Sequence, residues 1–337
     1  MVEEVLPRLF RVEVPLPGNP LKSINSYLLV SPERNLVIDT GFNQPECLET
    51  LTNAYHELGI DLGKTDFFAT HLHADHQGLV ATFAQPSSKT YMGKTDAVRV
   101  RDQSGWQKMM KYAAMSGFSY ETLVSAVKNH PGHKHGPEKQ IVWEDISEGD
   151  VLTVGDYRLL CLETPGHTWG HICLYEADRK ILFSGDHILG DITPNIQVWS
   201  VDDDPLGSYV ESLEKVAALE IELVLPGHRS IIKDCRKRVE ELKLHHFNRC
   251  DEVLDILKSG SQHAVQVASK MTWDIEAESW DHFPLMQQWF ATGEALAHLR
   301  FLEKLGFLVQ EKSKDDVIRF SLIGGAGPFE KHFLRIL

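Results

Sequence analysis

A chain of 337 residues is too long for one small core and, at roughly 100–200 residues per domain, calls for one large domain plus an appendage. With 42% hydrophobic and 24% charged residues it has the composition of an ordinary globular protein, which excludes a disordered chain. A formal net charge of −14 argues against a broad electrostatic grip on nucleic acid or anionic lipid, leaving only a local basic groove open.

The N-terminal stretch MVEEVLPRLFRVEVP has neither a basic n-region nor an uninterrupted apolar h-region, and no later stretch is apolar over the length of a membrane span. A cytoplasmic protein with no membrane partner is expected. The first strands read as LFRVEV, SINSYLLV and NLVID, punctuated by PLPGNP and SPERN. Helical periodicity follows over residues 44–59, and KTDFFAT returns to a strand that ends at a histidine cluster, which the pattern places on a loop.

Residues 95–130 are helical in pattern, carrying Trp106, Met109, Met110, Tyr112, Met115, Phe118, Tyr120 and Leu123. Most read as the core of two packed helices; a second reading has this helical insert, about 95–135, lying over the site with some aromatics lining a pocket. Strands resume at QIVWED, DVLTVGDYRLLCLET and HICLYEADRKILFSGD, before a helix over about 205–219 and the strand IELVLPGH. Beyond residue 231 the pattern turns to long helices, so a first domain over 1–239 and a second domain over 240–337 are expected. In the latter, HAVQVASKM, MQQWFATGEALAHLRFLEKLG and FLVQEKSKDDVIRFSLI resemble a helical trio with a β-hairpin, the pattern of a winged helix. The five cysteines, Cys47, Cys161, Cys173, Cys235 and Cys250, include no CxxC pair and read as reduced core thiols.

The chemistry is concentrated in Thr70-His71-Leu72-His73-Ala74-Asp75-His76-Gln77-Gly78, where three imidazoles and a carboxylate fall within six positions. These donors suit zinc, iron or manganese, and alternation along a short loop lets His71 and His73 share one ion while Asp75 and His76 address another. His167 in TPGH, Asp186 in SGD and His228 in PGH each follow an apolar strand and a glycine that permits a sharp turn. Strand-end loops converging on one sheet edge are a natural place for a site.

Taken together, THLHADHQG, TPGH, SGD and PGH in that order resemble the metal-binding signature of the metallo-β-lactamase superfamily, over roughly residues 8–235. The resemblance implies an α/β fold, an αββα sandwich with metals at one edge. Carried over, it gives His71, His73 and His167 to a first metal and Asp75, His76 and His228 to a second, with Asp186 bridging. Asp39, in LVIDTG, matches the family's first motif, an aspartate behind the ligands. His171 and His187 lie beside ligand motifs and are candidates to orient ligands, with satisfied polar residues at strand ends as the equal alternative. His133 and His135 read as a solvated loop, and His245 and His246 as structural or exposed residues of a long helix.

Two divalent ions, zinc first with iron or manganese as alternatives, imply a hydrolase using a metal-bridging hydroxide, with Asp75 and Asp186 as catalytic residues. A site left net positive favours carbonyl or phosphoryl oxygens that gain negative charge. The leading expectation is hydrolysis of a small ester, thioester or lactone. The alternatives are a phosphodiesterase or endoribonuclease acting on single-stranded RNA, and a regulatory protein that binds DNA or a second subunit through its tail. The acidic composition ranks nucleic acid below a small-molecule substrate; for the tail, dimerisation or covering the pocket is expected.

Overall fold

Apolar runs in the first half of the chain become strands buried on both faces. The computed structural model describes residues 2–102, 105–198, 200, 203–324 and 329. Strands β1 (Val2–Leu6), β2 (Leu9–Pro15), β3 (Ser23–Leu29) and β4 (Asn35–Ile38) form an antiparallel meander. Helix α1 (Pro45–Glu57) then leads to β5 (Thr65–Ala69), parallel to β4. After α2 (Ala74–Gln77) and α3 (Val80–Phe83), β6 (Thr90–Gly93) joins β5 in parallel. Helices α4 (Lys94–Arg101), α5 (Gly105–Met115), α6 (Tyr120–Asn129) and α7 (Pro131–Lys134) precede β7 (Glu144–Ile146), which ends the sheet beside β6.

The second sheet runs in the order β12-β11-β10-β9-β8, built from β8 (Val151–Val154), β9 (Tyr157–Glu163), β10 (Ile172–Glu176), β11 (Ile181–Gly185) and β12 (Leu223–Pro226). Side-chain alternation decides how the layers stack. Tyr27, Leu29, Leu36, Ile38 and Phe68 join Leu159, Cys161, Leu174 and Phe183 in the core between the sheets. Leu28, Val37 and Phe67 point the other way, against Cys47, Leu51, Ala54 and Tyr55 of α1. At about 1.5–3 kcal/mol per fully buried large apolar side chain, this double burial is what makes the strands continuous apolar runs. Helix α8 (Pro205–Ala217) buries Leu213 and Val216 and ties to the end of β9 by Ser212 Oγ donating to Pro165 O at 2.9 Å. The result is the mixed α/β sandwich that the sequence leads one to expect.

Two strands escape the sequence pattern. β1 is a half-exposed edge strand, and β6 is only four residues long between a turn and a helix. Conversely, only the end of QIVWED pairs in the sheet; Ile141 and Trp143 bury their side chains without strand geometry.

Contacts divide the chain into two compact units: Met1–Asp102, Pro131–Pro194 and Glu211–Val239 form one, and Gln103–His130, Asn195–Val210 and Glu240–Leu337 the other. Of the helices expected as an insert, α4 and α7 belong to the first unit, and α5 and α6 to the second. The second unit also holds most of α9 (Cys235–Leu257), with α10 (Ala264–Ala268), α11 (Leu285–Lys304) and the hairpin of β13 (Leu308–Lys312) and β14 (Ile318–Leu322). Leu123 and Ala126 of α6 bury against Trp289 of α11, with Met109, Met110, Phe118 and Phe290 packed around them. His263 caps α10 through a reciprocal bond with Gln266, and Gly117 (φ 107°) sits where a Cβ would lie 2.3 Å from the His263 ring. Residues 325–328 and 330–337 of the expected C-terminal domain lie outside the described residues. All five cysteines are buried and free of disulfides. Among the described residues, no helix is long and apolar enough to cross a membrane.

Candidate metal centre

The histidine cluster begins where β5 runs out. Thr70 N donates to Asp39 Oδ1 at 2.9 Å, so the end of β4 takes hold of the first residue beyond β5. Only His71 and His73 of the cluster stand on a loop; Asp75 and His76 lie on the single turn of α2, a correction to the expected all-loop cluster. That turn is clamped by the segment after β4: Gly41 N donates to Asp75 O at 2.6 Å and Thr40 N to His76 O at 2.9 Å. The approach is close enough that a Cβ on Gly78 would stand 2.6 Å from the carbonyls of both Ala74 and Gly41. His167, Asp186 and His228 arrive from the ends of β9, β11 and β12.

All seven sequence-predicted ligands converge. Their donor atoms form three groups, His71/His73/His167, His71/His76/Asp186 and Asp75/His76/His228, each with its atoms within 4.8 Å of one another. In the first group His71 Nε2, His73 Nδ1 and His167 Nε2 are 2.8, 3.0 and 3.2 Å apart. Three imidazoles cannot all satisfy one another at such distances, whereas a tetrahedral ion at about 2.0–2.1 Å from each nitrogen would space them by about 3.3 Å. Asp186 faces both ways. Its Oδ2 is 3.5 Å from His167 Nε2, and its Oδ1 is 3.5 Å from both His76 Nε2 and His228 Nε2. Asp75 Oδ2 lies 3.4 Å from His228 Nε2.

Hydrogen bonds on the far side of the rings decide which nitrogen faces inward. His76 Nδ1 donates to Asp39 Oδ2 at 2.8 Å, and His228 Nδ1 donates to Ser23 O at 2.7 Å. Each bond leaves Nε2 as the bare lone pair aimed at the site. Asp39 performs this from a left-handed backbone (φ 59°), held by Asp39 N donating to Phe68 O at 2.9 Å and by Ser26 Oγ donating to its carbonyl at 2.7 Å. His76 Nε2, His228 Nε2 and Asp186 Oδ1 are buried with no hydrogen bond. Such orphaned atoms cost about 1–3 kcal/mol each, and two lone pairs beside a carboxylate oxygen are donors that a divalent cation satisfies. The residues therefore fit a metal.

Electrostatics agrees. Burial, with neighbouring rings adding, holds His71 well below its ordinary value and pushes His73 down to about 3, so both are neutral ligands. For Asp75 burial works upward, yet His76 and His228 outweigh it and bring the carboxyl down to about 2. Asp186 is held low in the same way, with burial overcome by His228 and His76. For His76 and His228 burial is overcome in the opposite direction, by Asp39, Asp186 and Asp75 for the first and by Asp186 and Asp75 for the second. Two ionised carboxylates thus attract positive charge to a largely buried pocket, and protons compete with a metal for it.

His171 stands behind Asp186: its Nδ1 is 2.8 Å from Thr164 Oγ1 and its Nε2 accepts from Asp186 N at 3.1 Å. His187 is fully buried, its ring 6.1 Å from that of His171, and burial pushes it down to about 3. His133 is exposed but lies on the single turn of α7 and not on a loop, and His135 departs further from the solvated-loop expectation: its ring is 5.1 Å from that of Phe42 and its carbonyl accepts from Asn43 N at 3.0 Å. His245 is part-exposed and His246 buried. Sequence reasoning missed Ser23, Asn25 and Asp96. Asn25 Nδ2 donates to the carbonyls of Pro226 and Arg229, both at 2.9 Å, framing His228; Asp96 of α4 meets two histidine-bearing loops. None adjoins a ligand motif in sequence. Thr164 could have been found, since it opens TPGH.

Comparison with known proteins matches residues 19–228 to the metallo-beta-lactamase superfamily and residues 250–323 to the metallo-beta-lactamase-like C-terminal domain. The chain belongs to the metallo-beta-lactamase superfamily and is an enzyme of its hydrolase class. It is similar to the lactamase-like protein aptB of Emericella nidulans, 27% identical over 266 residues covering 77% of this chain and 68% of that protein. It is also similar to the atrochrysone carboxyl ACP thioesterase of Emericella nidulans, 26% identical over 253 residues covering 75% and 66%. The chain spans about two thirds of the length of the curated relatives it matches. Among solved structures, a metallo-beta-lactamase family protein from Thermus thermophilus superimposes with a TM-score of 0.80 at 27% identity, covering 95% of this chain and 100% of that one. A beta-lactamase domain protein from Burkholderia ambifaria, at TM-score 0.81 and 24% identity over 96% and 94%, shares the fold.

Proposed function

We propose that the chain is a thioesterase working with two divalent metal ions, zinc first, held by His71, His73 and His167 and by Asp75, His76 and His228, with Asp186 shared. The observation that carries this reading is Asp186, whose two carboxylate oxygens face different donor groups. When bound, such a pair of ions polarises a carbonyl and makes water acidic enough to serve as a nucleophile at neutral pH.

The chain's own residues supply the rest. His71, His73 and His167 are neutral donors, and Asp39 and Ser23 O keep His76 and His228 in the tautomer that ligates. Hydrolysis adds water across the acyl C–S bond and releases a carboxylic acid and a thiol. Asp75 is ionised and slightly open to solvent, so its carboxylate can accept a hydrogen bond from the attacking water and orient it, while the sulfur departs as a thiolate and takes up the proton that the water loses. His171 and His187 act behind the ligands, the former by holding the backbone of Asp186. The thioester is preferred over other acyl substrates because a relative bears the name of an ACP thioesterase. We further propose that residues 240–337 form a winged-helix-like domain, with α10, α11 and the β13/β14 hairpin as its parts.

Elemental analysis paired with hydrolysis assays tests this reading, using a thioester, a lactone, bis(p-nitrophenyl) phosphate and single-stranded RNA as substrates. About two metals per chain and thioester hydrolysis that vanishes in Asp186→Ala are expected. One metal or none overturns the two-ion centre; phosphodiester cleavage without acyl hydrolysis overturns the substrate class.

A further inference from the structure

The three nitrogens of the first donor group come from two loops, one after β5 and one after β9, and something must hold those loops at a fixed spacing. Asp96, in the first turn of α4, is fully buried and reaches both. Its Oδ2 accepts from Leu72 N at 3.0 Å, the residue between His71 and His73. The same oxygen accepts from Thr168 Oγ1 at 2.6 Å, the residue after His167, while Oδ1 accepts from Gly170 N at 2.8 Å. Backbones interlock around it: a Cβ on Gly170 would lie 2.2 Å from Asp96 N, and one on Gly93, just before α4, would lie 2.0 Å from Gly170 O.

We infer that Asp96 is a positioning residue for the metal centre, its carboxylate fixing the distance between the His71/His73 loop and the His167 loop. This rests on the metal-centre reading above. One oxygen shared by donors from both loops makes their separation a single hydrogen-bonded geometry, and only an ionised carboxylate, which is acceptor-only, satisfies three donors at once. An asparagine of the same size offers one acceptor oxygen and turns an N–H₂ group toward the remaining donors. The nitrogens that now stand 2.8–3.2 Å apart then lose their fixed spacing while every ligand is still present.

The experiment is a cobalt(II) titration of the metal-stripped full chain, read by its d–d absorption and by chelator competition. It is run on wild type, Asp96→Asn, Thr168→Val and Leu51→Ala. The last loses core contacts beneath α1 and serves as the control for lowered stability alone. Asp96→Asn is expected to bind cobalt 10- to 100-fold more weakly with an altered d–d band. Thr168→Val, which removes one donor of the three, should lose roughly two- to tenfold. Leu51→Ala should keep the wild-type affinity and spectrum at temperatures where it is folded. Unchanged binding in Asp96→Asn, or the same loss in Leu51→Ala, overturns the inference. If Asp96→Asn does not fold, unchanged binding by Thr168→Val overturns it. Wild-type protein that takes up no cobalt overturns the metal-centre reading itself, and the inference with it.

Discussion

Among the described residues, histidine side chains gather with acidic partners in both units. In the first unit five of them, His71, His73, His76, His167 and His228, meet Asp75 and Asp186 at the ends of strands. In the second unit His245, His246 and His298 lie on two helices with Glu294 and Arg249. Both gatherings are largely buried and both leave ring nitrogens without a hydrogen bond, Nε2 of His76 and His228 in the first and Nε2 of His245 and His246 in the second, but the charge around them differs. His246 and His298 are joined by Nδ1 and Nε2 at 3.1 Å, and His298 Nδ1 donates to Glu294 O at 2.8 Å, so the pair forms a chain that ends on a carbonyl. Glu294 lies 3.8 Å from the Arg249 guanidinium and accepts from Asn195 at 3.2 Å, so its charge is already answered. In the first unit the ionic partners of Asp75 and Asp186 are imidazoles, and two ring nitrogens and a carboxylate oxygen are left bare. Histidines make a metal centre when their lone pairs converge on carboxylates that no guanidinium answers, and a packing core when a guanidinium such as Arg249 already answers the carboxylate beside them.

The sharpest way to break this comparison is to exchange the two clusters' fates. Replacing His71 with Gln removes a donor common to two of the three groups, and metal-dependent hydrolysis should fall by more than the 10- to 100-fold typical of losing an outer partner, so by over about 10²-fold. His246→Gln, assayed well below its unfolding temperature, should stay within about twofold of wild type. Equal losses in steady-state assays of both variants would erase the distinction drawn between them.

A finer test separates the bare nitrogens from what keeps them bare. Asp39→Asn places an amide where the His76 Nδ1–H now meets a carboxylate at 2.8 Å, and the ring is freed to turn or to change tautomer. Metal affinity by chelator competition should drop about 10- to 100-fold, with the seven ligands intact. An unchanged affinity would mean that the ring is held by packing alone.

The same contrast explains what the sequence could and could not disclose. Ligands at strand ends, each announced by a glycine or packed into THLHADHQG, are legible because chemistry demands their residue types in local order. Apolar alternation likewise discloses the central strands, since Leu36 and Ile38 must face one core and Val37 the other. Ser23 acts through its backbone carbonyl, which any residue carries, and Asp96 sits in KTDAVR with partners 24, 72 and 74 residues away. Such groups are defined by tertiary distance, on which periodicity is silent. Helical periodicity predicts α5 and α6 but not which unit they join, because Leu123 and Ala126 would look the same packed against any apolar helix.

The smallest effect at the bench concerns stability and leaves turnover at neutral pH untouched. His298 is fully buried, and desolvation, only partly offset by Glu294, pushes it down to about 4 from an ordinary 6.5. A base whose folded value is depressed makes the unfolded chain bind the proton first. Stability from the neutral ring is therefore present above pH 6.5, is lost as pH falls from about 6.5 to about 4, and changes no further below that. At about 1.4 kcal/mol per pH unit the difference is on the order of 3 kcal/mol. Urea denaturation of wild type and His298→Gln at pH 7 and pH 4 isolates it, because the histidines of the first unit contribute equally to both proteins and cancel. The stability advantage of wild type should shrink by that amount on acidification. A gap that stays constant would mean that His298 titrates normally, and that the second cluster is wetter than the hydrogen-bonded chain from His246 to Glu294 O allows.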